Sequence, residues 1–318
     1  MHPTYSKFIL ASIVNGVWPD SCLSLVKYLG LRKNLIKRIE GLDNCTLLEE
    51  IELYDNRIRH IENLAHLQNL VFLDLSFNRI REIQGLESLV GLRKLYLSAN
   101  RIRKMENLST LVNLTLLDVG DNKIRKIEGI ENLVNLEEFH AAKNKLVKIE
   151  GLSTLTNLVT VALQANFIQE LSGVEELVNL EELYLQQNQI PRIENLERNS
   201  RLTLLDLAMN KVTKLEKVEH LSELRDLWIN WNYLEDTDEN KEYLRRLQLT
   251  TIYLADNPMS MHDSYQEMLV SAIPTLQQID GNQLRKGMPF HHQRTAGIHP
   301  IVKREVNPEA QRLLDEVL

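Results

Sequence analysis

The sequence predicts an α/β solenoid, in which short repeats stack into one elongated body. Two observations carry this prediction. Asparagine recurs every 22 residues from Asn34 to Asn232, and another follows 25 residues later at Asn257. Two apolar residues separated by one position precede each asparagine. In an extended strand this alternation puts both apolar side chains on the same side. A single unit cannot bury them, so neighbouring units must stack into a continuous core.

The repeat has the pattern L-x-x-L-x-L-x-x-N-x-I-x-x-I-E-G/N-L, and one clean copy runs from Leu92 to Leu108. This is the leucine-rich repeat in its short form. It predicts a horseshoe with a parallel β-sheet on the concave face. Few residues remain for the convex face, where we expect short turns or 3₁₀ segments. The asparagine amide can donate to and accept from backbone groups of adjacent coils, which predicts a ladder of these side chains.

The residues at which the repeat pattern begins and ends divide the chain into four predicted segments. Residues 1–25 form an N-terminal cap segment, residues 26–257 an array of about eleven repeats, residues 258–280 a C-terminal cap, and residues 281–318 a tail. The apolar stretch from Phe8 to Trp18 is shorter than the roughly 20 residues of a membrane helix, and the following residues make a poor cleavage site. We interpret it as a cover for the first repeat.

The C-terminal cap is predicted to be helical. The period lengthens after Asn232, where Asp236 or Thr237 can cap a short helix that buries Leu244. Further along, Ser264 and Glu267 have the spacing of a capping box for a second helix.

Composition restricts the function. With 37 basic and 44 acidic residues the formal charge is −7, which disfavours nucleic acid as the main partner. Cys22 and Cys45 have no paired spacing, as expected in a reducing compartment. The chain has no glycine-rich phosphate loop and no hydrolase or metalloprotease motif. We therefore predict a non-enzymatic protein without cofactor or metal. The tail histidines have no cysteine or carboxylate at ligand spacing.

The concave face is the expected binding surface, because solenoids bind along it. Its solvent-facing positions combine eight carboxylates with five aromatic residues, a pattern typical of an interface that receives a basic partner. The position between the paired apolar residues holds Glu52, Asp74, Tyr96, Asp118, His140, Ala162, Tyr184, Asp206, Trp228 and Tyr253. Two residues earlier stand Glu50, Phe72, Lys94, Leu116, Glu138, Thr160, Glu182, Leu204, Asp226 and Thr251.

A second charged feature follows the asparagines, and we call it the basic edge. Its role is open between keeping the array soluble and binding a partner; the lack of interleaved aromatic residues argues against nucleic acid. It consists of Arg57, Arg59, Arg79, Arg81, Arg101, Arg103, Lys123, Arg125 and Lys145.

Three stretches carry a family resemblance: D-L-W-I-N around Trp228, T-I-Y-L-A-D-N-P around Tyr253, and Y-Q-E-M-L-V-S-A-I-P-T-L-Q-Q-I-D from Tyr265. Over about residues 26–280 the chain resembles the protein phosphatase 1 regulatory subunit 7 family. That family holds the phosphatase with acidic and aromatic residues of the inner strands. The matching positions are Asp74, Tyr96, Asp118, Asp226, Trp228 and Tyr253, with His140 where the family has a large aromatic residue.

The resemblance implies a regulatory subunit that clamps the catalytic subunit of protein phosphatase 1 in nucleus and cytoplasm, together with a small phosphatase inhibitor protein. Like the family, this chain lacks the short docking peptide, a basic residue followed by V-x-F. The alternative is a scaffold of the cytoskeleton, centrosome or cilium, which would dock through the tail or the basic edge.

Overall fold

A computed structural model describes residues 24–284. Within them, thirteen strands form a single sheet in chain order. All neighbouring strands are parallel except the last two, β12 and β13, which are antiparallel. The strands are β1 (Tyr28–Gly30), β2 (Glu50–Glu52), β3 (Phe72–Asp74), β4 (Lys94–Tyr96), β5 (Leu116–Asp118), β6 (Glu138–His140), β7 (Thr160–Ala162), β8 (Glu182–Tyr184), β9 (Leu204–Asp206), β10 (Asp226–Trp228), β11 (Thr251–Tyr253), β12 (Gln278–Ile279) and β13 (Asn282–Gln283).

The strands are in strict register, so equivalent residues of successive repeats stand side by side. Leu73 of β3 pairs with Leu95 of β4, and Asp74 pairs with Tyr96. The middle residue of each of these strands is buried, and most of the flanking residues are at least partly exposed. The buried side chains join into one continuous apolar cluster along the whole described array. The predicted leucine-rich repeat horseshoe with a parallel concave sheet is confirmed.

The asparagine ladder joins each coil to the preceding one. Nδ2 of Asn78 donates to the carbonyl oxygens of Leu53 and Leu75, each at 3.0 Å. Its Oδ1 accepts from the backbone N–H of Ile58 at 2.9 Å. The same three bonds recur around Asn100 and the later asparagines of the array. The side chain therefore satisfies buried backbone groups of two coils at once, as its spacing predicted.

The convex side consists of turns. In a typical repeat, the backbone N–H of Leu67 donates to the carbonyl of Leu64, and that of Leu70 donates to the carbonyl of Leu67. These turns do not extend into helices. Within residues 24–284 the one 3₁₀ helix is Pro258–Met261, directly after the final asparagine.

The G/N position of the repeat is explained by a left-handed backbone. Gly173 has φ near +80°, and a Cβ there would lie 2.0 Å from the carbonyl oxygen of Ile149. Where asparagine takes this position it adopts the same conformation and uses the close approach: Asn107 donates to the carbonyl of Ile83 at 2.8 Å. Glycine and asparagine are the residues that tolerate this region best.

Two helices close the carboxy-terminal end, α1 (Asp238–Arg246) and α2 (Tyr265–Ala272). Thr237 caps α1 by accepting from the N–H of Asn240, and Leu244 is buried as predicted. The capping box predicted for α2 does not form, because the backbone of Ser264 is not extended and its side chain makes no cap bond.

Asp280 lies in the turn between β12 and β13. Its Oδ1 accepts from the N–H groups of Leu254 and Ala255, and its Oδ2 accepts from the Tyr265 hydroxyl at 2.6 Å. One carboxylate thus ties α2 to the last parallel strands. The predicted N-terminal cover (Phe8–Trp18), Cys22 and nearly all of the 281–318 tail lie outside the described residues.

Candidate protein-binding face

The concave face is built by the first and third residues of each strand. Because the middle residue points into the core, its two neighbours project to the opposite side. Equivalent side chains of adjacent repeats therefore form two columns. Within each column, successive side chains are one strand spacing, about 4.8 Å, apart. Trp228, for example, stands between Asp206 and Tyr253 in its column. This arrangement turns a sequence period into a continuous surface.

Three aspartates of this face share one local structure. Oδ1 of Asp74 accepts from the N–H of Ser76 at 2.9 Å, and Oδ1 of Asp118 accepts from that of Gly120 at 2.8 Å. Asp206 makes the equivalent bond to Ala208 at 3.0 Å. The bond fixes each carboxylate against its own strand end, and it leaves the second oxygen of Asp74 and of Asp118 available.

An amino-terminal aromatic pair lies between β3 and β4. The rings of Phe72 and Tyr96 are 5.4 Å apart at an interplanar angle of 43°. Both side chains are half-buried. Burial raises the pKa of the Tyr96 hydroxyl, and the carboxylates of Glu138 and Asp118 add to the effect.

A carboxy-terminal aromatic cluster spans β8 to β11. The Trp228 ring packs edge-on against Tyr253 at 5.7 Å and against Tyr184 at 6.4 Å. Burial and the neighbouring Glu182 raise the pKa of Tyr184 to about 12, and its hydroxyl donates to Glu182 at 3.1 Å. Asp226 stands half-buried beside Trp228 on the same strand.

Asp206 is a correction to the sequence prediction. We expected it to face solvent, but its side chain is fully buried between the strands that carry Tyr184 and Trp228. Burial raises its pKa to about 6. Among residues 24–284, its Oδ2 has no hydrogen-bond partner, and Nε1 of Trp228 has none either. The large flanking rings remove water from a short side chain that stays half-buried at Asp74 and Asp118.

Three further predicted concave positions are also buried. Ala162 is 4% exposed, Leu116 is 6% exposed and Glu52 is 9% exposed. Leu116 and Ala162 lie in the middle of the concave face, between its two aromatic groups.

His140 lies in this middle region. Its Nε2 is 3.4 Å from Oε2 of Glu138, and its Cα pairs in register with those of Asp118 and Ala162. The ring contacts a carboxylate of its own strand and belongs to neither aromatic group. All seven predicted partner-binding residues thus lie on the concave sheet, in two groups: Asp74, Tyr96, Asp118 and His140 towards the amino end, and Asp226, Trp228 and Tyr253 towards the carboxy end.

Sequence reasoning missed a polar group at the first strand. The hydroxyl of Tyr28 donates to Oε2 of Glu52 at 2.6 Å, and the Arg32 guanidinium pairs with Oε1 of the same carboxylate. Burial and this bond raise the pKa of Tyr28 to about 12. The repeat register could have indicated this group. Tyr28 stands in the first strand at the position that Glu50 takes in the second.

Residues 24–284 contain no cluster of histidine, cysteine, aspartate or glutamate that could hold a metal ion. Across the same range, none of the helices combines the length and the apolar character that a membrane crossing requires.

This geometry defines a leucine-rich repeat solenoid. A family model described as Leucine Rich repeats (2 copies) matches residues 68–110 and 91–132. No curated protein matches the chain.

Solved structures share the fold. The functional domain of InlJ from Listeria monocytogenes is similar with a TM-score of 0.68 and 22% identity, over 86% of this chain and 58% of that one. This chain thus spans less than two thirds of the InlJ structure. A leucine-rich repeat protein of Leptospira interrogans has a TM-score of 0.67 and 22% identity, over 82% of this chain and 74% of its own. Internalin C2 of Listeria monocytogenes has 26% identity and a TM-score of 0.56, over 62% of this chain and 84% of that one.

Proposed function

We propose that this protein is a non-enzymatic scaffold whose concave face binds another protein, and that this partner is the catalytic subunit of protein phosphatase 1. The observation that carries the proposal is the concave sheet itself. It presents two aromatic groups flanked by carboxylates on rigid strands, and such anchors dominate protein interfaces.

The identity of the partner is supported by the family resemblance. Its matching positions, among them Asp118, Asp226, Trp228 and Tyr253, all lie on the concave sheet. In this proposal Trp228 and Tyr253 are the apolar anchors, and Asp74, Asp118 and Asp226 meet basic groups of the phosphatase. Binding controls the activity, assembly or location of the enzyme in nucleus and cytoplasm, with a small inhibitor protein as a further partner.

The first experiment is affinity purification of the full chain followed by identification of what is retained. We expect the phosphatase catalytic subunit. Retention of cytoskeletal, centrosomal or ciliary components without the phosphatase would favour the alternative scaffold and refute the proposed partner.

The second experiment replaces one concave charge. Asp118→Lys places a cation where a basic partner surface is expected, so capture of the phosphatase should fall by tenfold or more, about the effect of 1.4 kcal/mol. Glu87→Lys is the matched control, because Glu87 is exposed on the convex side. Equal capture by both variants, with circular dichroism spectra showing both folded, would contradict the proposed face.

A further inference from the structure

The basic edge is the strongest charged feature outside the concave face. Its nine side chains are all exposed. Within the described part of the chain, none of them forms an ion pair or a side-chain hydrogen bond. Several cations elsewhere on the array do find partners: Arg38 pairs with Glu62 at 2.9 Å, and Lys104 with Glu106 at 3.6 Å. The basic edge is therefore a run of uncompensated charge.

The backbone holds these cations in register. The N–H of Arg79 donates to the carbonyl of Ile58, and the N–H of Arg101 donates to that of Ile80, each at 2.8 Å. Lys123 and Lys145 repeat the bond to the preceding coil. Each residue directly after the asparagine is thereby fixed one coil spacing, about 4.8 Å, from the next. The arginines two residues further on form a second column alongside.

Five consecutive coils carry the first column, from Arg57 to Lys145, and the first four of them also carry the second, from Arg59 to Arg125. The chain as a whole is acidic, with a formal charge of −7, so the edge is a local reversal of sign. Like charges at this spacing repel one another, and a bound anion relieves the repulsion. The edge is thus arranged for a linear polyanion.

We propose that the basic edge binds an extended acidic peptide, a segment of a partner protein rich in aspartate and glutamate. This inference is independent of the phosphatase proposal, because the concave side chains take no part in it. An extended peptide runs along one or two columns of charge and reaches several coils with consecutive carboxylates.

Two other polyanions fit the surroundings less well. Single-stranded nucleic acid needs stacking platforms between the cations. Two exposed aromatic residues lie beside the columns, and neither stands between two of the cations. Phe77 packs its ring against Tyr54 at 4.9 Å, and Phe167 follows Lys145 at the end of the first column. A flat anionic membrane would also meet the exposed carboxylates of Asp55 and Asp121, which stand immediately before the asparagines. A narrow peptide that follows the two columns of cations does not cover these carboxylates.

The test is fluorescence anisotropy of a labelled oligoglutamate of about twelve residues with the full chain. Five coils span about 19 Å, and an extended peptide covers about 3.3 Å per residue, so this length exceeds the binding stretch. We expect saturable binding at low salt that weakens at least about tenfold as the salt concentration rises several-fold.

The variant is the triple substitution Arg79→Gln, Arg101→Gln and Lys123→Gln, which should weaken binding about tenfold. The matched control removes the same number of charges away from the edge, as Arg198→Gln, Arg201→Gln and Arg245→Gln. It should bind like the natural chain, and circular dichroism melts should show all variants folded.

Four results would overturn the proposal. They are absent peptide binding at low salt, binding that is insensitive to salt, an equal loss in the control triple, and tighter edge-dependent binding of oligothymidine or of phosphatidylserine vesicles than of oligoglutamate. The last result would reassign the edge to that anion. Phosphatase capture by the edge variant is expected to stay unchanged, which keeps this test separate from that of the concave face.

Discussion

The two aromatic groups of the concave face use the same scaffold in different ways. The amino-terminal pair, Phe72 and Tyr96, stands beside aspartates that keep contact with solvent. The carboxy-terminal cluster around Trp228 encloses the carboxylate of Asp206, which accepts one backbone bond and has no partner for its second oxygen among residues 24–284. A buried charge that is only partly satisfied destabilises the fold, whereas a solvated one does not. One repeat register can therefore present an aspartate as a binding group or bury it inside the protein.

The largest expected effect concerns the pH dependence of stability. The folded-state pKa of Asp206 is about 6 against an ordinary 3.8. Its stability contribution is therefore fully present below about pH 4 and is lost as the pH rises through about 6. The raised pKa corresponds to about 3 kcal/mol at most. The free energy of unfolding is measured by urea denaturation at pH 4 and pH 7.5 for the natural chain and for Asp206→Asn. The value for the natural chain minus that for the variant should be lower at pH 7.5 than at pH 4.

Asp74→Asn is the matched control, because Asp74 makes the same backbone bond while remaining partly exposed. The same urea measurements on this variant show the effect of removing a carboxylate that keeps contact with solvent. If both substitutions changed the pH dependence of the free energy of unfolding equally, the two aspartates would not differ in burial as the structure indicates.

The next effect is on binding. Trp228→Ala should cost about 2 kcal/mol or more, which is about thirtyfold in affinity for the phosphatase catalytic subunit, because Trp228 stands at the centre of three packed rings. Phe72→Ala removes one ring of a pair and should cost less. Titration calorimetry of both variants measures the difference, and a larger loss for Phe72→Ala would reverse the ranking of the two groups.

The smallest effect separates the two tyrosines. The Tyr184 hydroxyl donates to Glu182, while the Tyr96 hydroxyl makes no such bond to any residue between 24 and 284. Tyr184→Phe should lower the free energy of unfolding by about 0.5 kcal/mol, and Tyr96→Phe should leave it unchanged. Thermal or urea denaturation of the two variants checks this, and equal values would show that the bond contributes nothing in solution.

Part of the C-terminal cap was predictable and part was not. The helix over Asp238–Arg246 was indicated by the lengthened period and by Thr237, whose cap depends on neighbouring residues alone. The box at Ser264 failed although its spacing was right, because α2 is oriented by tertiary contacts such as that of Tyr265 with Asp280. Residue spacing shows that a side chain able to cap the helix is present. The backbone conformation before the helix, which tertiary contacts set, decides whether the cap bond forms.

The residue before each asparagine also has a conformation that tertiary structure decides and local sequence does not indicate. Phe77, Met209 and Trp231 adopt left-handed backbone conformations, which their residue types do not favour. Phe77 is held there by a backbone bond to the carbonyl of Ser98 in the next coil. The bond exists only when coils stack, so no local pattern indicates the conformation.

The sequence alone determined the period, the register of the strands and which residues share a face, because these depend on alternation along a strand and on a fixed repeat length. It also placed Asp74, Trp228 and Tyr253 on one surface. Tertiary structure alone decided that Asp206 is sealed and Asp74 is not. Their local sequences are equivalent, but solvation of a short side chain is set by the size of its neighbours on the adjacent coils.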